Sequence, residues 1–294
     1  MLAIEIPWDP NLFEIGGFRI TWHSLWAVIG ILAGVVVARR IARRSDITPD
    51  QITTLALWGV LASIVVARAL YVADNWHTQF ANDIAAIFRI NQGGITVWGA
   101  VIGGTIGVGG AAWWMRLPVR TSLDIGAPGT ILGMGVGRIG DLINGEHHAR
   151  ATDLPWAVSY THPNAVGQDF PVHPATTYEL IGDALIFVGA IWLVYRSMGS
   201  LVTYWYVVAT YSALRLGLQF LRFDQAELFA GLQQSQVIGI IGLGAATTWA
   251  INRFLRRNPV VRSSAPSHAE SPPKRQQRNR DDSNTNAMNK EHDT

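Results

Sequence analysis

The sequence is poor in charge and contains no cysteine. Only 15% of its 294 residues are charged, whereas a soluble globular domain has roughly 25%. The lack of cysteine excludes disulfide bonds, thiolate metal ligands and a cysteine nucleophile supplied by the chain itself. A net charge of only +2 gives no reason to expect a nucleic-acid partner. The low charge, together with 49% hydrophobic residues, favours a membrane protein.

Motifs of soluble enzymes are missing as well. The chain has no P-loop, HExxH, GxSxG or CxxC pattern. His147 and His148 follow Glu146, but two adjacent histidines on a loop are a weak indication of a metal site. We therefore do not expect a metal site at these histidines.

Seven stretches are apolar over the length that a membrane-spanning helix needs, which is roughly 20 residues. They cover approximately residues 20–38, 52–73, 93–115, 123–143, 176–195, 201–221 and 235–252. The expected fold is all-α, a polytopic membrane protein with about seven transmembrane helices. Residues 1–257 are expected to form the membrane domain.

Arginines in the short loops predict the orientation of these spans. The loops after the first, third, fifth and seventh spans hold 11 arginines, against four on the other side. An excess of Lys and Arg marks the cytoplasmic side of a membrane protein. The N-terminus is therefore predicted outside and the C-terminus in the cytoplasm.

Three segments lie outside the spans. Residues 74–92 contain the amphipathic sequence FANDIAAIFRI, which is predicted to lie on the membrane surface. Residues 144–174 are too long for a simple connector and are expected to form an outer loop or small head. Residues 258–294 are rich in Pro, Ser, Asn, Gln and charge, which predicts a disordered cytoplasmic tail.

Two spans contain glycines at every fourth position. They are Gly99, Gly103 and Gly107 in the third span, and Gly129, Gly133 and Gly137 in the fourth. Small residues at this spacing let helix backbones approach closely in lipid. We expect these glycines to pack helices against one another.

Charged side chains within the spans are the strongest indication of a function. Arg68, Arg138 and Arg215 lie in the second, fourth and sixth spans. On insertion scales each costs about 2.5–3.5 kcal/mol near the bilayer centre, and such residues usually face a partner or a polar cavity. One interpretation is that they form structural ion pairs with acids of the spans. These acids are Asp141, Glu179 and Asp183.

The positions of two arginines favour an anion site instead. With the predicted orientation, Arg138 and Arg215 both fall in the outer half of their spans. Tyr204, Tyr211, Arg215 and Arg222 recur at helical spacing on one stripe of the sixth span. Guanidiniums and tyrosine hydroxyls at headgroup depth suit a phosphate. The natural ligand at that depth is a phospholipid headgroup.

One stretch resembles a family signature. Residues 137–146, GRIGDLINGE, are similar to the GRxGNFxNxE signature of prolipoprotein diacylglyceryl transferases. Other matching stretches follow in the family's order, among them TWHSLW, HPATTYEL, YSALRLGLQFLR and SQVIGI. The likeness covers about residues 18–253 and includes the seven spans and their orientation.

The resemblance implies a reaction and its partners. The family moves the diacylglyceryl group of phosphatidylglycerol to the lipobox cysteine in the signal peptide of a preprolipoprotein, and glycerol phosphate leaves. This is the first step of bacterial lipoprotein maturation. The resemblance therefore implies a transferase of the bacterial plasma (inner) membrane that contacts membrane lipids and needs no cofactor.

The resemblance also implies roles for individual residues. It carries over Arg138, Arg215 and Glu146 as candidate catalytic residues, and His23 joins them as a candidate on its own chemistry and position. It also carries over Arg138, Asn144, Tyr211, Arg215 and Tyr178 as candidate substrate-binding residues, and Asp141 and Arg68 are added because charged groups within spans usually face a partner or a polar cavity. The two arginines Arg138 and Arg215 would hold the phosphate and stabilise charge on the leaving group. Asn144 and Glu146 would order the outer rim.

Several positions depart from the family pattern. His23 stands where the first span usually has Tyr, and Trp98 stands where many members have His. Since Trp98 cannot accept a proton, His23 is one candidate for the general base, with Glu146 next. The alternative is that His23 only hydrogen-bonds a neighbouring helix or headgroup. Gln219 replaces an acid that often follows the arginine of the sixth span.

Asp141 is the most informative departure, because it replaces the signature Asn three residues after Arg138. An ionised Asp141 shares a helix face with Arg138 and would compete with the lipid phosphate. A protonated Asp141 would instead donate a hydrogen bond much as Asn does. Both interpretations stay open from the sequence.

Two other functions also stay open. One is a divergent paralogue that acts on another acceptor or is inactive. The other is a transporter or lipid-binding protein that uses the arginines for an anion. The odd number of spans and the lack of an evident internal repeat argue against a transporter.

The predicted orientation can be tested with a reporter enzyme that is active only outside the membrane. Fused after residue 253 it should be silent, and inserted near Gly167 it should be active, because the arginine count puts these points on opposite sides. The reverse pattern would put the predicted site in the wrong leaflet.

Overall fold

The computed structural model describes residues 3–16, 18–89, 93–222, 227–229 and 232–257. The helices within them are α1 Trp22–Ala42, α2 Pro49–Asp74, α3 Val97–Trp114, α4 Val119–Asn144, α5 Ala175–Ser197, α6 Val202–Gln219 and α7 Gln234–Arg257. Each overlaps one predicted stretch, so the mainly helical fold is confirmed. Met1–Arg253 forms one compact unit, and of the second, Phe254–Thr294, only the end of α7 is described. The predicted tail, 258–294, lies outside the described residues.

Four helices are long and apolar enough to cross a membrane by length and composition. They are Trp22–Ala42, Pro49–Asp74, Ala175–Ser197 and Gln234–Arg256. Large apolar side chains cover their outer faces, for example Val65, 67% exposed, and Leu185, 68% exposed. Of the described helices, α3, α4 and α6 do not reach this threshold, in keeping with their glycines, charges and tyrosines. The count of seven spans therefore stays a prediction.

Local capping chemistry sets the helix ends. Thr21, Thr48 and Thr96 cap α1, α2 and α3, and each side-chain oxygen accepts a hydrogen bond from the backbone N–H three residues on. The far end of α4 is closed by Gly145, which has a left-handed φ of 75° that glycine adopts with little strain. This turn leads the chain directly into Glu146, so Glu146 lies beside the end of α4.

Short strands modify the expectation of an all-α chain. β1 Ile4–Ile6 pairs in parallel with β4 Val158–Tyr160, and β2 Asn11–Ile15 pairs with β3 Phe18–Thr21. A third pair is formed by β5 Glu227–Phe229 and β6 Leu232–Gln233. Strands of two to five residues are too short to show a clear alternation in sequence, which is why the all-α prediction missed them.

The loop after α4 forms a small head with its own core. Buried apolar residues from β4 and its surroundings make up that core: Ala149, Val158, Tyr160, Val172 and Ala175. The Tyr160 hydroxyl donates to the Leu142 carbonyl of α4 at 3.0 Å, and burial raises the pKa of Tyr160 to about 12. The head is therefore attached to the end of α4.

After α2, the chain forms a π-helical turn at Trp76–Phe80 and a 3-10 helix at Ile84–Phe88. Phe88 is 83% exposed and Ile84 is 63% exposed. Exposed apolar side chains on a short helix agree with the amphipathic pattern. Its position on a membrane surface stays a prediction.

Glycines bring α1 and α4 into backbone contact. A Cβ at Gly129 would lie 2.5 Å from the carbonyl oxygen of Gly34, and a Cβ at Gly133 would lie 3.0 Å from that of Gly30. Side chains at these points would push the two helices apart. The prediction that Gly129 and Gly133 pack helices is confirmed.

The third member of that repeat was assigned wrongly. A Cβ at Gly137 would meet nothing within 4 Å, whereas a Cβ at Gly140 would lie 2.5 Å from the Cα of His23. Seven residues after Gly133, Gly140 returns to the helix face that contacts α1. In the third span, Gly99 and Gly107 pack on α2 as expected.

The role of the α1–α4 contact can be tested with two alanine variants of the same helix. Gly129→Ala should lower stability by about 1–3 kcal/mol, because the added methyl group overlaps the backbone of α1. Gly126→Ala is the control, since a Cβ there meets nothing within 4 Å. Thermal unfolding of the purified protein in detergent measures both. Equal stability of the two variants would mean that α1 and α4 do not need this close approach.

Candidate functional site

Charged residues from several helices meet at one end of the molecule. At this end α1 and α5 begin, and α4 and α6 finish. Arg138 lies in the last two turns of α4, Glu179 in the second turn of α5, and Arg215 in the last two turns of α6. All three side chains are buried. The sequence prediction that Arg138 and Arg215 lie at a similar depth agrees with this geometry.

Glu179 is the common partner of this cluster. Its carboxylate accepts from Arg138 Nη2 at 2.7 Å and from Arg215 Nη1 at 2.9 Å. The Tyr211 hydroxyl donates to it at 3.1 Å, and Arg222 Nη1 lies 3.5 Å from it. Glu179 itself is 0% exposed. Groups from α4, α5, α6 and the residues after α6 are thus tied to one carboxylate.

Asp141 is the second buried carboxylate. Arg138 Nη1 donates to Asp141 Oδ2 at 2.5 Å, and His23 Nδ1 contacts the other oxygen. His147 Nε2 lies 3.5 Å from Oδ2. Of the two interpretations left open for Asp141, the geometry matches the one in which it pairs with Arg138.

The arginines retain capacity for an anion. In the described part of the chain, the Nε atoms of Arg138 and Arg215 are buried and have no hydrogen-bond acceptor. A buried donor without an acceptor costs about 1–3 kcal/mol. Three guanidiniums, those of Arg138, Arg215 and Arg222, lie within 4 Å of Glu179, and that of Arg138 also lies within 4 Å of Asp141. The two Nε–H groups therefore remain as buried donors for an anion.

The rim is built from the residues that end α4 and begin the head. Asn144 Nδ2 donates to Glu146 Oε1 at 3.0 Å, and the Glu146 side chain is 33% exposed. The Tyr178 hydroxyl accepts from Trp156 Nε1 at 2.7 Å. Tyr178 therefore points to the head, although it directly precedes Glu179.

Trp98 forms part of the wall. It is 6% exposed, and its ring lies 5.5 Å from the ring of Tyr211, measured between centroids. Trp98 therefore packs as a buried apolar side chain beside the cluster.

Arg68 does not join the cluster, contrary to the substrate-binding role expected from the sequence. Its guanidinium donates to the backbone carbonyl oxygens of Ala86, Ile87, Gly93 and Gly94 at 2.7 to 2.9 Å. Four of its five N–H donors are used in this way. Arg68 instead fixes the segment between α2 and α3.

Asp183 does not form the expected ion pair. Neither carboxylate oxygen has a hydrogen-bond partner among the described residues, although Asp183 is 1% exposed. It lines a cavity of about 140 Å³ between α4 and α5, together with apolar residues such as Ile131, Val136 and Phe187. Arg138 and Arg215 pair instead with Glu179, one turn earlier on α5.

Arg222 was missed as a member of the site. Arg222 is one of the four arginines counted on the predicted outer side of the membrane. In the structure it is only 1% exposed and lies next to Glu179. The signal was present, since Arg222 continues the stripe seven residues after Arg215.

One group of side chains has the composition of a metal site. The ligand atoms of His23, Asp141 and Glu146 lie within 4.8 Å of one another. The guanidinium of Arg138, 2.5 Å from Asp141, already occupies one of these carboxylates and would repel a cation. The arrangement favours hydrogen bonding over metal binding.

Comparison with known proteins gives a consistent match. Residues 10–251 match the family described as prolipoprotein diacylglyceryl transferase. A protein of Nostoc sp. named phosphatidylglycerol–prolipoprotein diacylglyceryl transferase is 33% identical over 85% of this chain and 91% of its own. A protein of the same name from Synechococcus elongatus is 33% identical over 80% and 83%. One from Dehalococcoides mccartyi is 29% identical over 85% and 95%.

The central role of Glu179 predicts a large loss of stability in Glu179→Gln. Removal of the charge leaves buried guanidiniums without their shared partner, and breaking a buried ion pair typically costs about 3–5 kcal/mol. We expect the melting temperature in detergent to fall by at least about 5 °C. Glu146→Gln is the matched control, since Glu146 is 33% exposed and contacts no arginine in the described residues. Similar melting temperatures for both variants would contradict the central role.

Proposed function

Because the chain belongs to the prolipoprotein diacylglyceryl transferase family, we propose that it transfers the diacylglyceryl group of phosphatidylglycerol to the lipobox cysteine of a preprolipoprotein. The names of the relatives give the lipid donor and the protein acceptor. The reaction is the first step of bacterial lipoprotein maturation.

The observation that carries this proposal is the convergence of Arg138 and Arg215 on one carboxylate, each with a buried Nε–H that lacks an acceptor. The phosphodiester of phosphatidylglycerol carries one negative charge. The buried Nε–H groups of Arg138 and Arg215, which lack an acceptor, are suited to bind that charge. Guanidiniums also suit phosphate oxygens because their donors form a planar fork.

The chemistry requires stabilisation of charge on a leaving phosphate. The sulfur of the acceptor forms a bond to the glyceryl carbon that carries the phosphate, and the bond between that carbon and the phosphate oxygen breaks. The electron pair stays on the oxygen of the departing glycerol phosphate. Arg138 and Arg215 stabilise this developing charge in a buried site, where such contacts are stronger than in water. The reaction needs no metal or cofactor.

The membrane arrangement follows from the sequence prediction. We place α1 to α7 across the bacterial plasma membrane, with the N-terminus and the head outside and the end of α7 in the cytoplasm. The site then lies at headgroup depth in the outer leaflet. Phosphatidylglycerol enters from the bilayer, and the signal peptide presents its cysteine beside the head.

The proposed role of the arginines predicts the effect of lysine substitutions. Arg138→Lys and Arg215→Lys keep the charge but lose the fork, so transfer should fall at least about tenfold, roughly 1.4 kcal/mol of transition-state binding. The assay follows labelled diacylglyceryl from phosphatidylglycerol vesicles to a lipobox peptide. Arg39→Lys, at an exposed pair with Asp50, is the control. Normal turnover in both site variants would leave these arginines a purely structural role.

A further inference from the structure

His23 and Asp141 form a contact that phosphate binding does not require. His23 lies in the first turn of α1 and Asp141 in the last turn of α4, and the imidazole Nδ1 is hydrogen-bonded to Asp141 Oδ1. The Asp141 side chain is 2% exposed, whereas that of His23 is 42% exposed. The pair therefore has a buried acidic end and an imidazole that a substrate can reach.

Helix packing fixes this contact. A Cβ at Gly140 would lie 2.5 Å from the Cα of His23, so a side chain there would displace the first turn of α1 from α4. Since Gly140 directly precedes Asp141, the close approach brings the carboxylate to the imidazole ring. Both groups stand on helices and not on loops, which holds their geometry.

The contact defines which imidazole nitrogen is the base. A protonated Nδ1 donates to the carboxylate, whereas an unprotonated Nδ1 would face it with a lone pair. The proton is therefore assigned to Nδ1, which leaves the lone pair on Nε2. Among the described residues, Nε2 has no hydrogen-bond partner. A carboxylate that fixes the tautomer and stabilises the imidazolium is the arrangement of a general base.

Three further charged or titratable side chains lie close to the pair. Glu146 Oε2 lies 3.7 Å from His23 Nδ1, and His147 Nε2 lies 3.5 Å from Asp141 Oδ2. Arg138 contacts that same oxygen at 2.5 Å. An imidazolium at His23 would thus face two carboxylates and a guanidinium that is already paired.

The acceptor needs such a base. A cysteine thiol ordinarily has a pKa near 8.5, so only a few per cent is thiolate at pH 7. Imidazole titrates closer to neutrality than any other unperturbed side chain and is the usual general base. Trp98, which packs in the wall of the site, has no lone pair to accept a proton.

We propose that His23 is the general base that takes the proton of the acceptor thiol, and that Asp141 is a positioning residue that holds its ring. This inference rests on the proposed function. The proton moves from sulfur to Nε2 while the carbon–sulfur bond forms and the carbon–oxygen bond to phosphate breaks. The imidazolium afterwards returns its proton to water or to the departing glycerol phosphate.

The first test compares His23→Phe with the unaltered chain in phosphatidylglycerol vesicles. At pH 7 transfer to the cysteine peptide should fall at least about a hundredfold. At pH 9 the loss should shrink to less than about tenfold, because the thiol ionises unaided. His77→Phe is the matched control, since His77 is exposed in the segment after α2. An equal loss of transfer at both pH values would overturn the assignment of His23 as the general base.

The second test uses a peptide with selenocysteine in place of the lipobox cysteine. A selenol is ionised at neutral pH, so it does not need a base. His23→Phe should transfer to this peptide at pH 7 within about tenfold of the unaltered chain, whereas Arg138→Lys should show no such rescue. Failure of the selenol to rescue His23→Phe would assign His23 to packing or lipid binding.

The role of Asp141 is tested by a double-mutant cycle. Asp141→Asn should slow transfer to the cysteine peptide by at least about tenfold with His23 present, and by much less in the His23→Phe background. If Asp141→Asn slows transfer equally in both backgrounds, Asp141 does not act through His23. If the unaltered chain transfers nothing from phosphatidylglycerol, both the proposed function and the role of His23 as general base are overturned. Full activity of His23→Phe would overturn the role of His23 as general base and leave the proposed function unaffected.

Discussion

The buried carboxylate of Glu179 is the interaction on which the site depends. It accepts hydrogen bonds from Arg138 of α4, Tyr211 and Arg215 of α6, and it lies 3.5 Å from Arg222. Several kcal/mol per charge oppose the burial of such groups, and only mutual pairing offsets this cost. Without Glu179 the guanidiniums would repel one another at the point where they have to converge. The carboxylate thus holds the two arginines together at the place where we propose that the phosphate binds, so the free-energy cost of bringing them together is met when the protein folds.

Helix packing and site chemistry are linked through glycine. Gly129 and Gly133 let α4 touch the backbone of α1, and Gly140 extends the same contact to the first turn of α1. A contact made by main chain leaves little freedom to slide or rotate. For this reason His23 meets Asp141 at a defined place, although 118 residues separate them in sequence.

The sequence predicted the helices well because roughly 20 apolar residues have few alternatives to a buried or membrane-spanning helix. It also located Arg138 and Arg215, because charge is conspicuous within such a run. It could not tell Glu179 from Asp183 as the shared partner, nor Gly140 from Gly137 as the contact with α1. Glu179 and Asp183 lie one turn apart on the same helix face, and Gly137 and Gly140 lie three residues apart, so both choices depend on how far each helix is shifted along its axis and rotated about it. The hydrophobic periodicity does not determine these two quantities. The role of Arg68 was missed because backbone carbonyls, its actual partners, have no signature in sequence.

Asp141 connects the proposed proton transfer with the proposed phosphate site. One of its oxygens accepts from Arg138 and the other contacts His23, so both compete for the same negative charge. When the imidazole gains a proton, its attraction for Asp141 grows and the hold of Asp141 on Arg138 weakens. At that moment negative charge develops on the departing phosphate oxygen, which attracts the guanidinium. If His23 and the arginines act as proposed, Asp141 would therefore loosen its hold on Arg138 in the transition state, and an acid in place of the signature Asn would be compatible with the reaction.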